Sequence, residues 1–422
     1  MEKEFRFVGL GVLATLILLG SLIASPAASQ PFEKTPIILL ASEVLPKQML
    51  IGPNYRIKDA VINDGIINSY ELDTLYGPVR VESTALLIKR IQELNALAKI
   101  EEIKKTDVYL KAFQGAAMSP VNTAVGLVEN PVGTVSGIAS GIGRFFSNIG
   151  SAVTGGGSPY KDNIANSLLG QASYKREYAY HFGVDAYTPF EPLQKALNDL
   201  SWTATAGGLT VKTALAAIPG AAVAVISYTG TAGSLKALVN EKTPSELAKI
   251  NQNILYNLGV PDPIVQVFLQ NPVFDPYEQT MLVGYLASMQ GVANTGVYIG
   301  TAAAATEESV AVFLRVRAQL MALFHDKDKS IARFIDAGGI PMLQRRDGVV
   351  VGIFPLDHMA WTAVFAQKLA AASSAIKEIP GVTGKELWIT GTVDPVARKA
   401  LEEKGWKVQD RYQEQIFTML GY

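Results

Sequence analysis

The sequence predicts a predominantly helical α+β protein, with an N-terminal β-hairpin region, a central helical bundle and a small C-terminal α/β domain. Three observations predict this. Runs of β-branched residues broken by turn signals are concentrated before residue 83. Helix-start signatures punctuate the chain from there to about residue 325. After Asp336, short apolar strand-like runs alternate with helical segments. At 422 residues the chain is too long for one ordinary core. The expected divisions are a signal peptide over 1–29, a β-rich region over 30–82, a helical domain over 83–336 and the α/β domain over 337–422.

The first element is an address. Phe7 to Ala24 is uncharged and rich in Leu, Val and Ile, and is preceded by Lys3 and Arg6. Pro26 then breaks the helix, and Ala27-Ala28-Ser29 offers the small residues a signal peptidase reads. Cleavage is expected between Ser29 and Gln30, because Pro31 disfavours a cut directly before it. Glu2 and Glu4 offset the two basic side chains, and the apolar run approaches the ~20 residues that span a bilayer. An uncleaved N-terminal anchor is therefore the alternative. Either way the remainder is expected outside the cytosol: periplasmic, envelope-associated or secreted.

Asn63-Asp64-Gly65 lies between Tyr55–Ile62 and Ile66–Leu72, a turn flanked by β-branched strands. Gly77-Pro78 marks another turn before Val79 to Val81. A long helix is expected from about Ser83 to Met118, with Leu87, Ile91, Leu94 and Ala98 at helical spacing and Glu101 paired with Lys105. Three later helix starts share one design. Thr188-Pro189-Phe190-Glu191 and Thr243-Pro244-Ser245-Glu246 place a capping hydroxyl before proline and glutamate, and Asp275-Pro276-Tyr277-Glu278 does so with a carboxylate. Around Thr306 to His325, Val310, Phe313, Leu314, Met321 and Phe324 form a core stripe that leaves Arg315 and Gln319 for solvent.

In the last part, Arg346-Asp347-Gly348 turns a hairpin between Met342–Arg345 and Val349–Phe354. A helix near Ala360–Lys377, a strand Glu386–Thr390, a helix started by Asp394-Pro395 and a strand from Trp406 follow.

Pro131 to Val153 stands apart within a Gly/Ser-rich segment at 131–160. Val132, Val135, Ile138, Ile142, Phe145, Ile149 and Val153 follow at three- and four-residue steps, with Arg144 the only charge. Gly133, Gly137 and Gly141 are four apart, so another backbone can approach that side closely. These glycines and Phe145 are the candidate helix-contact or membrane residues. The readings are a helix packed within the protein's own fold, a flexible linker, or a helix on or in a membrane. The uncharged stretches Thr213 to Leu235 and Gln279 to Thr306 have spanning length, but both are interrupted by polar or helix-breaking residues. Buried helices explain them better.

Composition narrows the chemistry. Hydrophobic residues are 49% and charged residues 18%, which argues against disorder and for a large buried fraction or membrane contact. With 37 basic and 38 acidic side chains the formal charge is −1, which speaks against nucleic acid as a partner. The absence of cysteine excludes disulfides, thiolate metal sites and a cysteine nucleophile. Neither a cofactor-binding fingerprint nor a metal motif is present, so no cofactor and no metal are expected.

Two spots remain as candidates for chemistry. Glu177, His181 and Asp185 are four apart, but Gly183 is expected to end their helix before Asp185. Asp357 and His358 follow an apolar strand in the α/β part, where reactive groups are commonly displayed, and are the candidate catalytic residues. A simpler role for Asp357 is to cap the helix expected from Ala360. Thr390-Gly391-Thr392 also follows a strand, but a capping Asp394 would repel an anion there.

The first functional expectation is an exported, non-enzymatic binding or structural protein of the cell envelope, with a membrane or envelope protein as partner. The alternatives are a membrane-associated or membrane-active protein using residues 131–153, and a hydrolase using Asp357 and His358.

Overall fold

A computed structural model describes residues 32–117, 170–217, 230–328 and 330–412. Alternation of buried and exposed residues folds the first stretch into an antiparallel sheet. Its strands are β1 (Ile37–Leu40), β2 (Ile51–Gly52), β3 (Tyr55–Ile57), β4 (Ala60–Asn63), β5 (Asn68–Thr74) and β6 (Gly77–Glu82). The order is β1-β4-β5-β3-β2, with β6 also on β5. Val61 of β4 faces inward while Ala60 and Ile62 face outward, so the sheet covers the core with one side. The Asn63-Asp64-Gly65 turn links β4 to β5 as the sequence predicts. Gly77-Pro78 lies inside β6 instead of in a turn, and the chain reverses at Leu75-Tyr76.

The long helix expected to Met118 is two helices, α1 (Thr84–Lys104) and α2 (Asp107–Ala117). One hydroxyl accounts for the break. Thr106 Oγ1 donates to the Ile103 carbonyl at 2.7 Å and accepts from the Tyr109 amide at 3.3 Å, ending one helix and starting the next. Glu101 pairs with Lys104, 3.5 Å away, and not with Lys105.

The central helices are α3 (Gln171–Phe182), α4 (Glu191–Gly207), α5 (Val211–Ala216), α6 (Gly230–Glu241), α7 (Pro244–Asn257), α8 (Asp262–Leu269), α9 (Pro276–Ser288), α10 (Gly296–Ala303) and α11 (Glu308–Asp328). Thr243 closes the expected capping box with Glu246, and Asp275 caps α9 by accepting from the Glu278 amide at 2.7 Å. The Thr188 motif does not cap. α4 starts three residues later at Glu191, because the Thr188 hydroxyl is turned inward onto Glu93. The uncharged stretch from Gln279 to Thr306 is broken between α9 and α10, and no described helix is long and apolar enough to cross a membrane.

The C-terminal sheet has strand order β13-β11-β9-β8-β7. β7 (Ile331–Asp336), β8 (Pro341–Arg345) and β9 (Val349–Phe354) form an antiparallel meander. β9, β11 (Gly384–Ile389) and β13 (Trp406–Gln409) are parallel, connected through α12 (Ala363–Lys377) and α13 (Pro395–Glu403). The sheet starts at Ile331, ahead of the composition shift at 337. It is tied to the helices through Ala293, whose backbone bonds both Ala332 and Phe334 at 2.9 Å. α11 lies against it. Arg317 is fully buried there: its Nε donates to the Ile353 carbonyl at 2.7 Å and its Nη2 to the Pro341 carbonyl, where β8 no longer pairs with β9. The guanidinium stacks 3.9 Å over Phe354, and burial without a carboxylate pushes its pKa down to about 10. Helices therefore dominate the described residues, with one antiparallel sheet, one mixed sheet and a short two-stranded parallel pair, which is the predicted α+β class.

Candidate functional site

The segments leaving the C-terminal ends of β9 and β11 zip together. β10 (His358–Met359) pairs in parallel with β12 (Thr392–Val393), and the Thr392 amide donates to the Asp357 carbonyl at 3.1 Å. Gly391 permits this contact. A Cβ on it would lie 1.7 Å from the Asp357 oxygen. Gly391→Ala is therefore expected to cost roughly 2–3 kcal/mol through forced separation of the two segments. A chemical melt indistinguishable from wild type would refute this tight approach.

Asp357 is buried, but not beside a reactive partner. Oδ2 accepts from the Asn68 amide at 2.8 Å, and Oδ1 from the Thr84 amide at 3.1 Å, with the Thr84 hydroxyl adding a third bond. A continuous polar chain leads away from it. Tyr70 Oη is 2.7 Å from Thr84 Oγ1 and accepts from Asn68 Nδ2 at 2.9 Å, and Asn63 Nδ2 donates to Asn68 Oδ1 at 2.9 Å. Burial pushes the Asp357 carboxyl up to about 6 against the bonds that favour its charged form.

The carboxylate thus serves the first turn of α1 and the start of β5, not the helix expected from Ala360. That helix starts at Ala363 and is capped by Thr362, whose hydroxyl accepts from the Phe365 amide at 3.1 Å. The Asn63-Asp64-Gly65 turn docks on the same segment, with Gly65 accepting from the Ala360 amide at 2.8 Å.

His358 points elsewhere. Its Nδ1 is 2.7 Å from Thr392 Oγ1, and the ring is half-buried. Burial lowers its pKa against the pull of Asp394, which favours the neutral ring. Asp394 caps α13 as predicted, accepting from the Val396 amide at 2.9 Å. Glu33 approaches from the N-terminal side. It accepts from the Trp361 amide at 2.5 Å and is hydrogen-bonded to Asp394, and burial raises its pKa. A neutral imidazole near the Asp394 carboxylate has the components for proton transfer. Asp357 and His358 are adjacent in the chain but not partners.

A second constellation went unseen in the sequence. Lys89, on α1, extends its ammonium between four carboxylates: Glu278 at 3.2 Å, Glu308 at 3.4 Å, Asp185 at 3.5 Å and Asp275 at 3.7 Å. Arg90 pairs with Glu93 and, at 3.0 Å, with Glu308, while its guanidinium stacks 4.2 Å over Phe190. Arg315 pairs with Glu278 at 2.9 Å, so it faces this network and not solvent as expected.

Five acids meet three bases in a nearly dry interior. Burial and the neighbouring Asp185 hold the Asp275 carboxyl well above its ordinary range, and the two share a hydrogen bond. Ligand atoms of Asp185, Asp275 and Glu278 lie within 4.8 Å of one another, a set suited by chemistry to a hard cation. The Lys89 ammonium already stands among them and supplies the positive charge. A signal existed in the sequence: Lys89, Arg90 and Glu93 lie among Leu86, Leu87, Ile88, Ile91, Leu94 and Leu97, apolar residues on more than one side of the helix, where charges must find partners.

The remaining candidates are dispersed. Gly183, at positive φ, ends α3 as expected, which separates Glu177 and His181 on the helix from Asp185 in the ion network. Gly133, Gly137, Gly141 and Phe145 lie outside the described residues.

Fold and site together define a cysteine-free, mainly helical α+β protein, its elements joined by buried polar networks. No protein-family model, curated protein or solved structure matches the chain.

Proposed function

We propose that the protein is an exported, non-enzymatic binding or structural component of the cell envelope. The observation that carries this reading is the use made of Asp357. The acid best placed for chemistry, at the end of a parallel strand, has both oxygens engaged by backbone amides of a distant sheet and helix. The Lys89 network likewise spends its charges on joining α1, α9, α11 and the loop after α3. Buried carboxylates employed as struts suit a protein that presents a surface. Export rests on the N-terminal apolar run and the small residues before Gln30.

The test is fractionation of cells expressing the chain, followed by N-terminal sequencing and cross-linking in intact cells. Protein that begins at Gln30 and cross-links to an envelope component in fixed ratio is the expected result. Recovery from the cytosol with Met1 or Glu2 still in front would overturn it.

A further inference from the structure

We propose that β1 is an interaction edge at which two copies of this chain pair antiparallel, joining their N-terminal sheets into one. The inference goes beyond the envelope reading and stands without it, since a chain in any compartment would present the same edge.

The hydrogen-bond ladder fixes which groups β1 leaves open. Opposed residues of an antiparallel ladder alternate between pairs that exchange hydrogen bonds and pairs whose backbone groups point away from each other. The Ala41 amide donates to the Asp59 carbonyl at 2.8 Å, so Ala41 and Asp59 form a bonded pair. Further along the same register, Leu39 with Val61 and Ile37 with Asn63 are bonded pairs as well. Ile38 and Leu40 alternate with them, so their amides and carbonyls point away from β4. The other side of β4 agrees: the Asp64 amide donates to the Ile67 carbonyl, which turns the backbone groups of Ile62 toward β5. Among the described residues no strand lies beyond β1.

The side chains on this margin are as open as the backbone. Ile38 is 61% exposed and Leu40 49%, and across the ladder they stand beside Ile62 and Ala60, which are exposed too. Proteins ordinarily protect such a margin with charge or proline, because a bare edge templates another strand. β6, at the opposite margin of the sheet, carries Pro78, Arg80 and Glu82, and β13, an edge of the C-terminal sheet, carries Lys407. β1 carries neither device along its length.

A second copy is the occupant that this margin fits. A twofold pair centred on Leu39 sets Ile38 of each copy opposite Leu40 of the other, so both outward positions meet an apolar side chain and exchange backbone hydrogen bonds. Charge agrees with that orientation. The start of one antiparallel strand lies beside the end of the other, which brings the exposed Lys34 of each copy toward the exposed Glu43 of its mate. A parallel pair would set like charges together instead. Pro36 has no amide to lengthen the ladder, and the chain leaves the strand in a helical turn at Ala41–Val44. The pairing is therefore short and reversible.

The experiment is sedimentation of the purified full chain, joined to a cross-linking test of the register. Wild type should exchange between monomer and dimer over about 1 µM to about 500 µM, and Leu40→Lys, a change at an exposed site, should weaken the dimer by about tenfold or more. The chain has no cysteine of its own, so introduced thiols report without background. Ile38→Cys and Leu40→Cys chains, one carrying a size tag, should form a disulfide-linked heterodimer when mixed and oxidised with diamide. Ile38→Cys alone should cross-link at least about fivefold less, because its thiols are out of register. A chain that stays monomeric throughout, or a dimer undiminished in folded Leu40→Lys, would overturn the proposal. So would Ile38→Cys that links to itself as readily as to Leu40→Cys, a result that stands whether or not the lysine variant folds.

Discussion

Lys89→Met is expected to lower folding stability by about 3–5 kcal/mol at neutral pH, the largest effect of any substitution considered. The change removes the ammonium while keeping the length of the stem, so packing along α1 is nearly preserved. What remains is Asp185, Asp275, Glu278 and Glu308 facing one another, with Arg315 and Arg90 as the counter-charges at the network among the described residues. Removing one partner of a buried ion cluster costs more than the pair itself contributes, because the other partner stays desolvated. The remedy open to the variant is protonation. Its carboxyl pKa values rise further in the folded state, so the folded state binds more protons than the unfolded one, and stability recovers as pH falls. Urea melts at pH 7 and pH 5 should therefore show a smaller difference from wild type at the lower pH. A deficit below about 1 kcal/mol at pH 7 would mean that the cluster is not electrostatically strained without Lys89.

Asp357→Ala should cost about 2–4 kcal/mol, because the buried Asn68 and Thr84 amides both lose their acceptor. Asp357→Asn keeps one acceptor and should lose about half as much. The asparagine variant also reads out the titration. Asp357 has a folded-state pKa pushed up to about 6 from an ordinary value near 3.8. Between those values the folded state holds the extra proton, so this group's contribution is complete below about pH 4 and is lost as pH rises through 6. The difference in stability between wild type and Asp357→Asn should therefore shift by roughly 3 kcal/mol across that window, in favour of the variant at the higher pH. A difference that stays flat from pH 4 to 7 would show that the carboxyl titrates normally.

Much of the C-terminal architecture was legible because its signals are local. Arg346-Asp347-Gly348 needs only its neighbours to turn a hairpin, and Asp394-Pro395 starts α13 whatever lies beyond it. The same holds for the Thr243 capping box. Misreadings came where a polar side chain had a choice. Thr188 has the local sequence of a cap, but it serves Glu93, which is distant in sequence, and α4 starts without it. The place of Arg315 opposite the apolar stripe of α11 predicts solvent exposure, yet Glu278 on α9 claims it. Asp275 does both, capping α9 with one oxygen and facing Lys89 with the other.

The site shows the same division. His358 and Asp357 were found from their position after a strand, but only the fold reveals that they look in different directions. The Asn63-Asp64-Gly65 turn and Asp357 were each conspicuous alone, and nothing in either stretch indicates that they meet.

The sequence by itself determined the helical α+β class, the Asn63-Asp64-Gly65 and Arg346-Asp347-Gly348 turns, the helix starts at Thr243, Asp275 and Asp394, and the absence of cysteine, because each depends on composition or on backbone preferences within a few residues. Tertiary structure alone decided where Lys89, Arg315 and Asp357 send their charges. A desolvated charge binds whatever partner the packing brings within about 3–4 Å, and that partner can come from anywhere in the chain.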